Sequence, residues 1–468
     1  MPLTLAPGGA ATRGGKDVRR SFCMTVAVAA LAAGGAQAQL VIEKNSDDRI
    51  DWQSLEDFAA AHADLDGQSV TILGPWLGVD QELFTSIAAY FEDATGATVN
   101  YSGSNSFEQQ IVIDSEAGSP PDIAVLPQPG LAADLAAKGY LRDLGDDTAQ
   151  WLRDNYAAGD SWAALATYAG QDGTDRLYAF PYKADVKSLV WYVPENFEDA
   201  GYEIPETYED LKALTEQIAA DGEVPWCIGL ASGGATGWPA TDWVEDLMLR
   251  LNTPEDYDAW TTNALAFNDP KVIAAIEEFG WFAKNDSYVA GGPASVASND
   301  FRESPNGLFE SPPACYLHRQ ASFIPSFFPD GTVEGEDYDF FYFPAPADGS
   351  LGQPVLGGGT LFGVFSDNPV AMAFIDFLKT PAAHELWMAQ SGFTTPHTGV
   401  NMDAYASETQ RNMGQILLDA TTFRFDGSDL MPGAVGAGAF WTGMVDFVGG
   451  ASAQDVADRI QQTWATLN

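Results

Sequence analysis

Two rhythms of apolar and polar positions take turns along this chain. After a polar, irregular stretch over 39–67, with one helical piece near 52–62, Val70-Thr71-Ile72-Leu73 reads as a strand. The loop Gly74-Pro75-Trp76-Leu77-Gly78 follows. Leu83, Phe84, Ile87, Ala88 and Phe91 then recur at helical spacing and form one apolar face. Asp80 stands where it can cap the start of that helix, and Gly96 its end. The cycle repeats with a strand over 97–101, a loop over 102–106, a helix over 107–117 and a strand over 123–126. A Pro-Gln-Pro-Gly turn and a helix ending at Lys138-Gly139 close this part. Such alternation predicts βαβ units on a parallel sheet. Ligands of these sheets bind beyond the carboxyl ends of the strands. That puts Trp76, Ser104 to Glu108, and Pro127-Gln128 around one crevice.

Further on, the pattern predicts an apolar strand over 188–193 and helices over 208–220, 237–251 and 269–283, then a loop-rich stretch over 285–307. The chain returns through 340–343, a Pro/Gly-rich stretch over 344–359 and a strand over 361–365. Helices over 371–378 and 382–389 follow. There is no tandem repeat and no low-complexity tract.

Composition narrows the class. At about 150 residues per domain, 468 residues supply two or three domains' worth of chain. With 46% apolar and 19% charged residues the composition is globular, which excludes a disordered or collagen-like chain. Lys and Arg number 22 against 66 Asp and Glu, a net charge of −44. A chain this acidic is repelled by nucleic acid and by anionic membrane surfaces, because polyphosphate binding needs a basic patch, which sets nucleic acid aside as a partner.

Residues 1–38 read as an export signal. Arg13, Lys16, Arg19 and Arg20 precede a short apolar run, and Ala36-Gln37-Ala38 is a small-x-small cleavage site, leaving Gln39 as the first mature residue. The run is too short for a bilayer span of roughly 20 residues. Cys23 stands in no lipobox. Of three cysteines, Cys227 and Cys315 remain in the mature chain, and in an exported protein they read as one disulfide, with two buried thiols as the alternative.

No phosphate loop and no nucleophile elbow are present, and His384-Glu385 is followed by Met388 where a zinc-protease helix needs a second histidine. No CxxC occurs, and no EF-hand spacing supports calcium. No cofactor, metal or catalytic residue is therefore assigned. Aromatic residues carry the chemistry instead. Among thirteen tryptophans, Trp76, Trp238 and Trp441 sit in loop contexts with polar neighbours. Sugars present C–H faces to rings and hydroxyls to a few placed polar groups. Four other features read two ways. Glu108 is a helix-dipole partner or a ligand contact. Arg319 is a fork on hydroxyls or half of an ion pair. Asp242 is a helix-start residue or a hydroxyl acceptor. Gly357-Gly358-Gly359-Thr360 is a plain turn or a place where backbone approaches a ligand.

Several stretches, in order, carry a family resemblance. They are Phe91-Glu92-Asp93-Ala94-Thr95-Gly96-Ala97-Thr98-Val99, Gly118-Ser119-Pro120-Pro121-Asp122-Ile123, the segment from Tyr178 to Tyr192, and Met431-Pro432 through Phe440-Trp441. Pro225-Trp226-Cys227-Ile228-Gly229, Ala235 to Trp243, and Pro312 to Arg319 add to them. Over the mature chain these resemble extracellular solute-binding proteins of ABC sugar importers, the maltose-binding-protein family and in particular its α-glucoside-binding branch. The resemblance implies a two-lobed α/β fold of the type II periplasmic binding protein, with the ligand cleft between lobes and three hinge crossings near 186, 343 and 394. Lobe 1 would then hold 39–186 and 344–394, and lobe 2 would hold 187–343 and 395–468. It implies that Asp185 accepts sugar hydroxyls, that Trp441 stacks on a ring, and that Gln128 and Trp76 line the site. Gly358, Gly359 and Thr360 would face the cleft. The second-lobe stacking residue does not align cleanly; Trp238, Tyr316 and His318 are candidates. Gln128-Pro129-Gly130 and Leu126 depart from the family pattern. The implied function is non-catalytic capture of an α-glucoside of the maltose, sucrose or trehalose type, by a periplasmic monomer that delivers it to inner-membrane permease subunits. The alternatives are a secreted glycosidase or lyase using two carboxylates, and a binding protein of the same fold for a polyamine or other cation.

Overall fold

In the computed structural model, residues 40–467 are described, apart from 158, 391, 420 and 421. The expected leader, its cleavage site and Gln39 lie outside the described residues. Ser69–Gly74 (β1), Thr98–Gly103 (β2) and Ile123–Leu126 (β3) form where the sequence predicts strands, with β2 and β3 both parallel to β1. The helix Val79–Thr95 buries Phe84, Ile87, Ala88 and Phe91, the predicted face, and ends at Gly96 in the left-handed region (φ 72°). Its start differs from expectation. Gly78 takes the cap position without a side-chain hydrogen bond, and Asp80, inside the first turn, is left for another use.

A short hairpin, Thr167–Ala169 (β4) and Asp175–Leu177 (β5), leads into Ala179–Val186 (β6). Leu189–Tyr192 (β7) pairs antiparallel with His318–Arg319 (β8) and Asp339–Tyr342 (β9), making a separate three-stranded sheet. Pro354–Val364 (β10) runs antiparallel to β3 and β6, and parallel to Thr422–Phe425 (β11). The larger sheet has the order β11-β10-β3-β1-β2, with β6 also on β10.

The glycine run that read as a turn or a ligand approach is the middle of β10. Gly357 faces Asp426 and its strand neighbours closely enough that a Cβ would run into the Phe423 ring. Flanking strands on both sides satisfy the backbone, so glycine here relieves crowding rather than making a bend. The β6–β10 register shifts between Thr360 and Leu361. Such bulges re-aim side chains beside functional sites.

Apolar residues gather into two large cores. The first lies against the larger sheet and draws on residues 50–184 and 361–405, with Phe425. The second draws on 190–356 and 431–464, including the helices Trp238–Leu251, Pro270–Ala283 and Ala453–Thr466. A smaller cluster surrounds the Cys227–Cys315 disulfide, which is formed as the sequence suggested. The chain passes between cores just after β6 and again within β10, where Leu356 belongs to the second and Leu361 to the first. Among the described residues no helix is long and apolar enough to cross a membrane.

Candidate functional site

A cleft of about 920 Å³, counting the part open to solvent, lies where the two cores meet. The segments just past β1, β2 and β3 supply Pro75, Trp76, Ser104, Asn105, Glu108 and Gln128, at the carboxyl ends where the sheet rule puts them. Lys183 and Asp185 come from β6, and Gly359 and Thr360 from β10. The facing wall supplies Ser232, Trp238, Phe301, Arg302, Phe323, Ser428, Asp429 and Trp441. Lys187 and Asp426 also line it. Eight predicted residues therefore come together here: Trp76, Glu108, Gln128, Asp185, Trp238, Gly359, Thr360 and Trp441.

Local structure explains each position. The Tyr101 hydroxyl accepts the Trp76 N–H at 2.9 Å and lies 3.0 Å from the Trp76 carbonyl, pinning the loop. The Trp76 ring sits edge-on to Trp387 (centroids 5.4 Å) and beside Phe84 (5.0 Å). At 7% exposure it is a core residue that shows the cleft one edge. Gln128 Nε2 donates to Glu108 Oε1 at 3.2 Å, while Gln128 Oε1 has no protein partner. Burial pushes the Glu108 carboxyl up, against that hydrogen bond. Trp441 opens the helix Trp441–Val448 after a π-helical stretch, Ala434–Phe440. Gly237, at φ 116°, lets that turn approach the segment before Trp238, since a Cβ there would run into the Trp441 carbonyl. Trp441 Nε1 and Thr360 Oγ1 are buried without protein partners.

Charges in the cleft are mixed. Lys183 and Asp185 lie on one face of β6, and Lys187, just after the strand, continues the two-residue alternation. Lys183 Nζ lies 2.9 Å from Asp185 Oδ1 and 5.0 Å from the Phe323 ring centroid. Burial pushes Asp80 up to about 6, against the attraction of Lys183 and Arg302. Lys187 Nζ is 2.9 Å from Asp242 Oδ1 and touches Asp426. Although burial opposes it, Lys187 holds the Asp426 carboxyl below the usual range. Burial pushes Asp429 and Glu245 well up. Carboxyl oxygens of Asp242, Glu245 and Asp426 lie within 4.8 Å of one another, a set that could hold a metal ion. The Lys187 ammonium already contacts two of the three.

Five predicted residues lie elsewhere. Asp242 is fully buried behind the wall and pairs with Lys187. Arg319 is sealed against Asp246 (2.9 Å), so the ion-pair reading describes it. His318 Nδ1 bonds the Cys227 carbonyl at 2.9 Å, and burial lowers its imidazole to about 4. Tyr316 packs on Tyr202 in a separate surface groove beside the disulfide. Gly358 pairs with Asp185 in the sheet, and the space its Cβ would fill holds Lys187 Cε, 2.8 Å away. Buried pairing removes three of these, because a polar residue in a short strand or on a core helix face looks the same in sequence as one facing a ligand. Sequence reasoning missed Asp80, Lys183, Lys187, Ser232, Phe301, Arg302, Phe323, Asp426, Ser428 and Asp429. Only Lys183 and Lys187 carried a signal, the two-residue alternation around Asp185.

A two-bodied α/β protein with a polar, aromatic cleft between its cores is a receptor for a small solute. The chain belongs to the bacterial extracellular solute-binding protein family, whose model matches residues 77–385. It is 64% identical, over 96% of this chain and 100% of the other, to the alpha-glucosides-binding periplasmic protein AglE of Rhizobium meliloti. It is 40% identical, over 86% of this chain and 94% of the other, to the osmoprotective compounds-binding protein GgtB of Synechocystis sp.. Its fold matches a bacterial solute receptor, AcbH, described as preferring β-D-galactopyranose (TM-score 0.73, 18% identity, 86% and 99% of the two chains). It also matches maltose-bound MalE3 of T. maritima (TM-score 0.67, 16% identity, 86% and 100%). These are binding proteins rather than enzymes, which sets the glycosidase alternative aside.

Proposed function

We propose that this chain captures an α-glucoside of the maltose, sucrose or trehalose type in the periplasm, for import through an ABC permease. The observation that carries the reading is one cleft lined by Trp238 and Trp441, the Lys183–Asp185 pair, and unpartnered Gln128 Oε1, Thr360 Oγ1 and Trp441 Nε1. Rings take sugar C–H faces, and fixed polar atoms take hydroxyls. The relative named for α-glucosides supports the ligand class and the compartment. Cleavage after Ala38, delivery to permease subunits and a monomeric state belong to the same reading.

The lobes divide at the crossings after β6 and within β10. We put the second crossing within β10 rather than near 343, and the third beyond Phe425 rather than near 394, because Phe425 still packs in the first core. Closure is then a hinge motion about these segments. A cation is disfavoured as ligand. Lys183, Lys187 and Arg302 offset the carboxylates, and burial keeps Glu108 and Asp429 toward their neutral forms.

Thermal shift of the mature protein with maltose, sucrose, trehalose and putrescine tests this. A ligand at 100 times its Kd stabilises by about 2.7 kcal/mol. A shift with one or more of the disaccharides and none with putrescine is expected. A shift with putrescine alone overturns the ligand class.

A further inference from the structure

We propose that Lys187 is a fixed hydrogen-bond donor that grips a hydroxyl of the bound glycoside, and that Asp242, behind the cleft wall, is a positioning residue acting through it. This rests on the reading of the cleft as a sugar site. Lys187 follows β6 directly, at the first crossing between cores. Its backbone N–H donates to the Leu356 carbonyl at 2.8 Å, which ties it to β10. The next residue, Ser188, accepts the Leu356 N–H at 2.8 Å and donates to Asp246 at 2.8 Å. Gly358 leaves room for the side chain along β10.

The ammonium is held on several sides. Asp242 comes from the helix Trp238–Leu251, and Asp426 follows β11. Asp426 is itself fixed, since its N–H donates to the Gly357 carbonyl at 2.7 Å and its Oδ1 accepts from Ser428 Oγ at 2.8 Å. The Trp238 ring lies 5.5 Å from Nζ. An ammonium carries three donor protons, and Asp242 Oδ1 and Asp426 Oδ2 take two of them, although burial pushes Asp242 itself up to about 8. Lys187 lines the cleft, and on this proposal the third proton goes to the ligand.

Buried ion networks are poor sources of stability, because well-packed apolar residues do as well. What this network supplies is a charged donor already in place, so a ligand does not have to order it. The carboxylates favour the charged form of Lys187 against the opposing effect of burial.

The test is a double-mutant cycle read by titration calorimetry. Wild type, Lys187→Met, Asp242→Asn and the double variant are titrated with maltose, sucrose and trehalose. Loss of a charged hydrogen bond predicts that Lys187→Met weakens the tightest of these about 10- to 100-fold. Asp242→Asn, acting at one remove, weakens it about threefold or more. In the Lys187→Met background the Asp242 change then shifts Kd less than about twofold, because the two act as one unit. A merely structural role for Asp242 gives the same loss in both backgrounds, which overturns the proposal, as does an unchanged Kd in Lys187→Met. If Lys187→Met fails to fold, the pair Lys187→Met/Asp426→Asn, which removes a buried carboxylate charge along with the lysine, serves as the background. If wild type binds none of the three sugars, the reading of the site falls and the proposal falls with it. If wild type binds and the cycle is additive, only the proposal falls.

Discussion

The two bodies differ in how they hold buried charge: the first meets Glu385 with the backbone N–H groups of Asp51 and Asn401, the second gathers an ionic network. Against the larger sheet, Phe84, Phe91, Phe362 and Phe374 interlock with Trp387 in tilted and edge contacts. Its sealed histidine, His384, is bonded to Thr395 and the Leu378 carbonyl, and burial holds its imidazole well below the usual range, so it stays neutral. The second body buries Lys187, Arg250 and Arg319 among Asp242, Glu245, Asp246, Asp426 and Asp429. Part of that set lines the cleft, and the rest lies behind it. The aromatic packing of the first explains folding. The ionic network of the second explains orientation at the ligand, and it is safe only when complete.

The sharpest way to break this contrast is to remove one member from each core. Asp246 Oδ1 lies 2.6 Å from Arg250 Nη1, and its Oδ2 lies 2.9 Å from Arg319 Nη2. Asp246→Ala strands both guanidiniums and should destabilise by about 3–5 kcal/mol in urea melts. Phe374→Ala should cost a similar amount, about 3–5 kcal/mol, by leaving a cavity. The two differ in rescue. Adding Arg319→Met to Asp246→Ala should recover part of the loss, because one stranded charge is gone. A cost below about 1 kcal/mol for Asp246→Ala would mean that the network is not electrostatically interdependent.

The disulfide gives a slightly smaller effect confined to one side. Cys227 and Cys315 are 88 residues apart and pack with Leu189, Trp191 and Phe328. Replacing both with alanine should cost about 2–5 kcal/mol. Hydrogen exchange should speed up in β7 and β8 while β1 to β3 keep their protection. Equal acceleration in both sheets would merge the two bodies into one cooperative unit.

The same contrast explains what the sequence made legible. The first body repeats strand and helix with clean periodicity, so β1 to β3 and the helix Val79–Thr95 were readable almost to the residue. Trp76, Glu108 and Gln128 followed from the rule that ligands sit past strand ends. The far wall has no such rule. Arg302, Phe323 and Asp429 reach the cleft from loops and short helices whose positions depend on long-range pairing. Asp242 and Arg319 were found as polar residues of interest, but whether such a residue faces a ligand or an ion-pair partner is decided by tertiary packing. In the β10 run, Gly359 and Thr360 line the cleft as one of the two readings had it, while the crowding of Gly357 by Phe423 and of Gly358 by Lys187 cannot be seen locally.

At the cleft, two aromatic residues from the second body can be set against each other. Trp441→Phe removes a buried indole N–H that has no protein partner. It should weaken the disaccharide Kd about 5- to 10-fold, the value of a hydrogen bond and some ring area. Tyr316→Ala, in the outer groove, should change Kd less than about twofold. If Tyr316 proves the more costly in binding rather than in stability, the cleft has been assigned to the wrong face.

The smallest expected effect is a pH dependence that isolates the second body. His318 is sealed, with Nδ1 on the Cys227 carbonyl, and burial lowers its folded pKa from 6.5 to about 4. Between those values the unfolded chain binds a proton that the folded chain does not. Stability from this residue is therefore complete above about 6.5 and is lost as pH falls toward 4. At pH 5.5 the loss is about 1 kcal/mol. His384 and His397 of the first body are lowered too and add a slope of the same sign, so wild type alone cannot separate the bodies. The difference between wild type and His318→Asn does separate them. Asparagine keeps a donor for Cys227 but does not titrate. The stability gap between the two proteins should move by about 1 kcal/mol between pH 7.5 and 5.5 in urea melts, in favour of the variant. A gap that stays constant over that range would mean that the imidazole titrates normally and that the second body is open to water where its core is packed here.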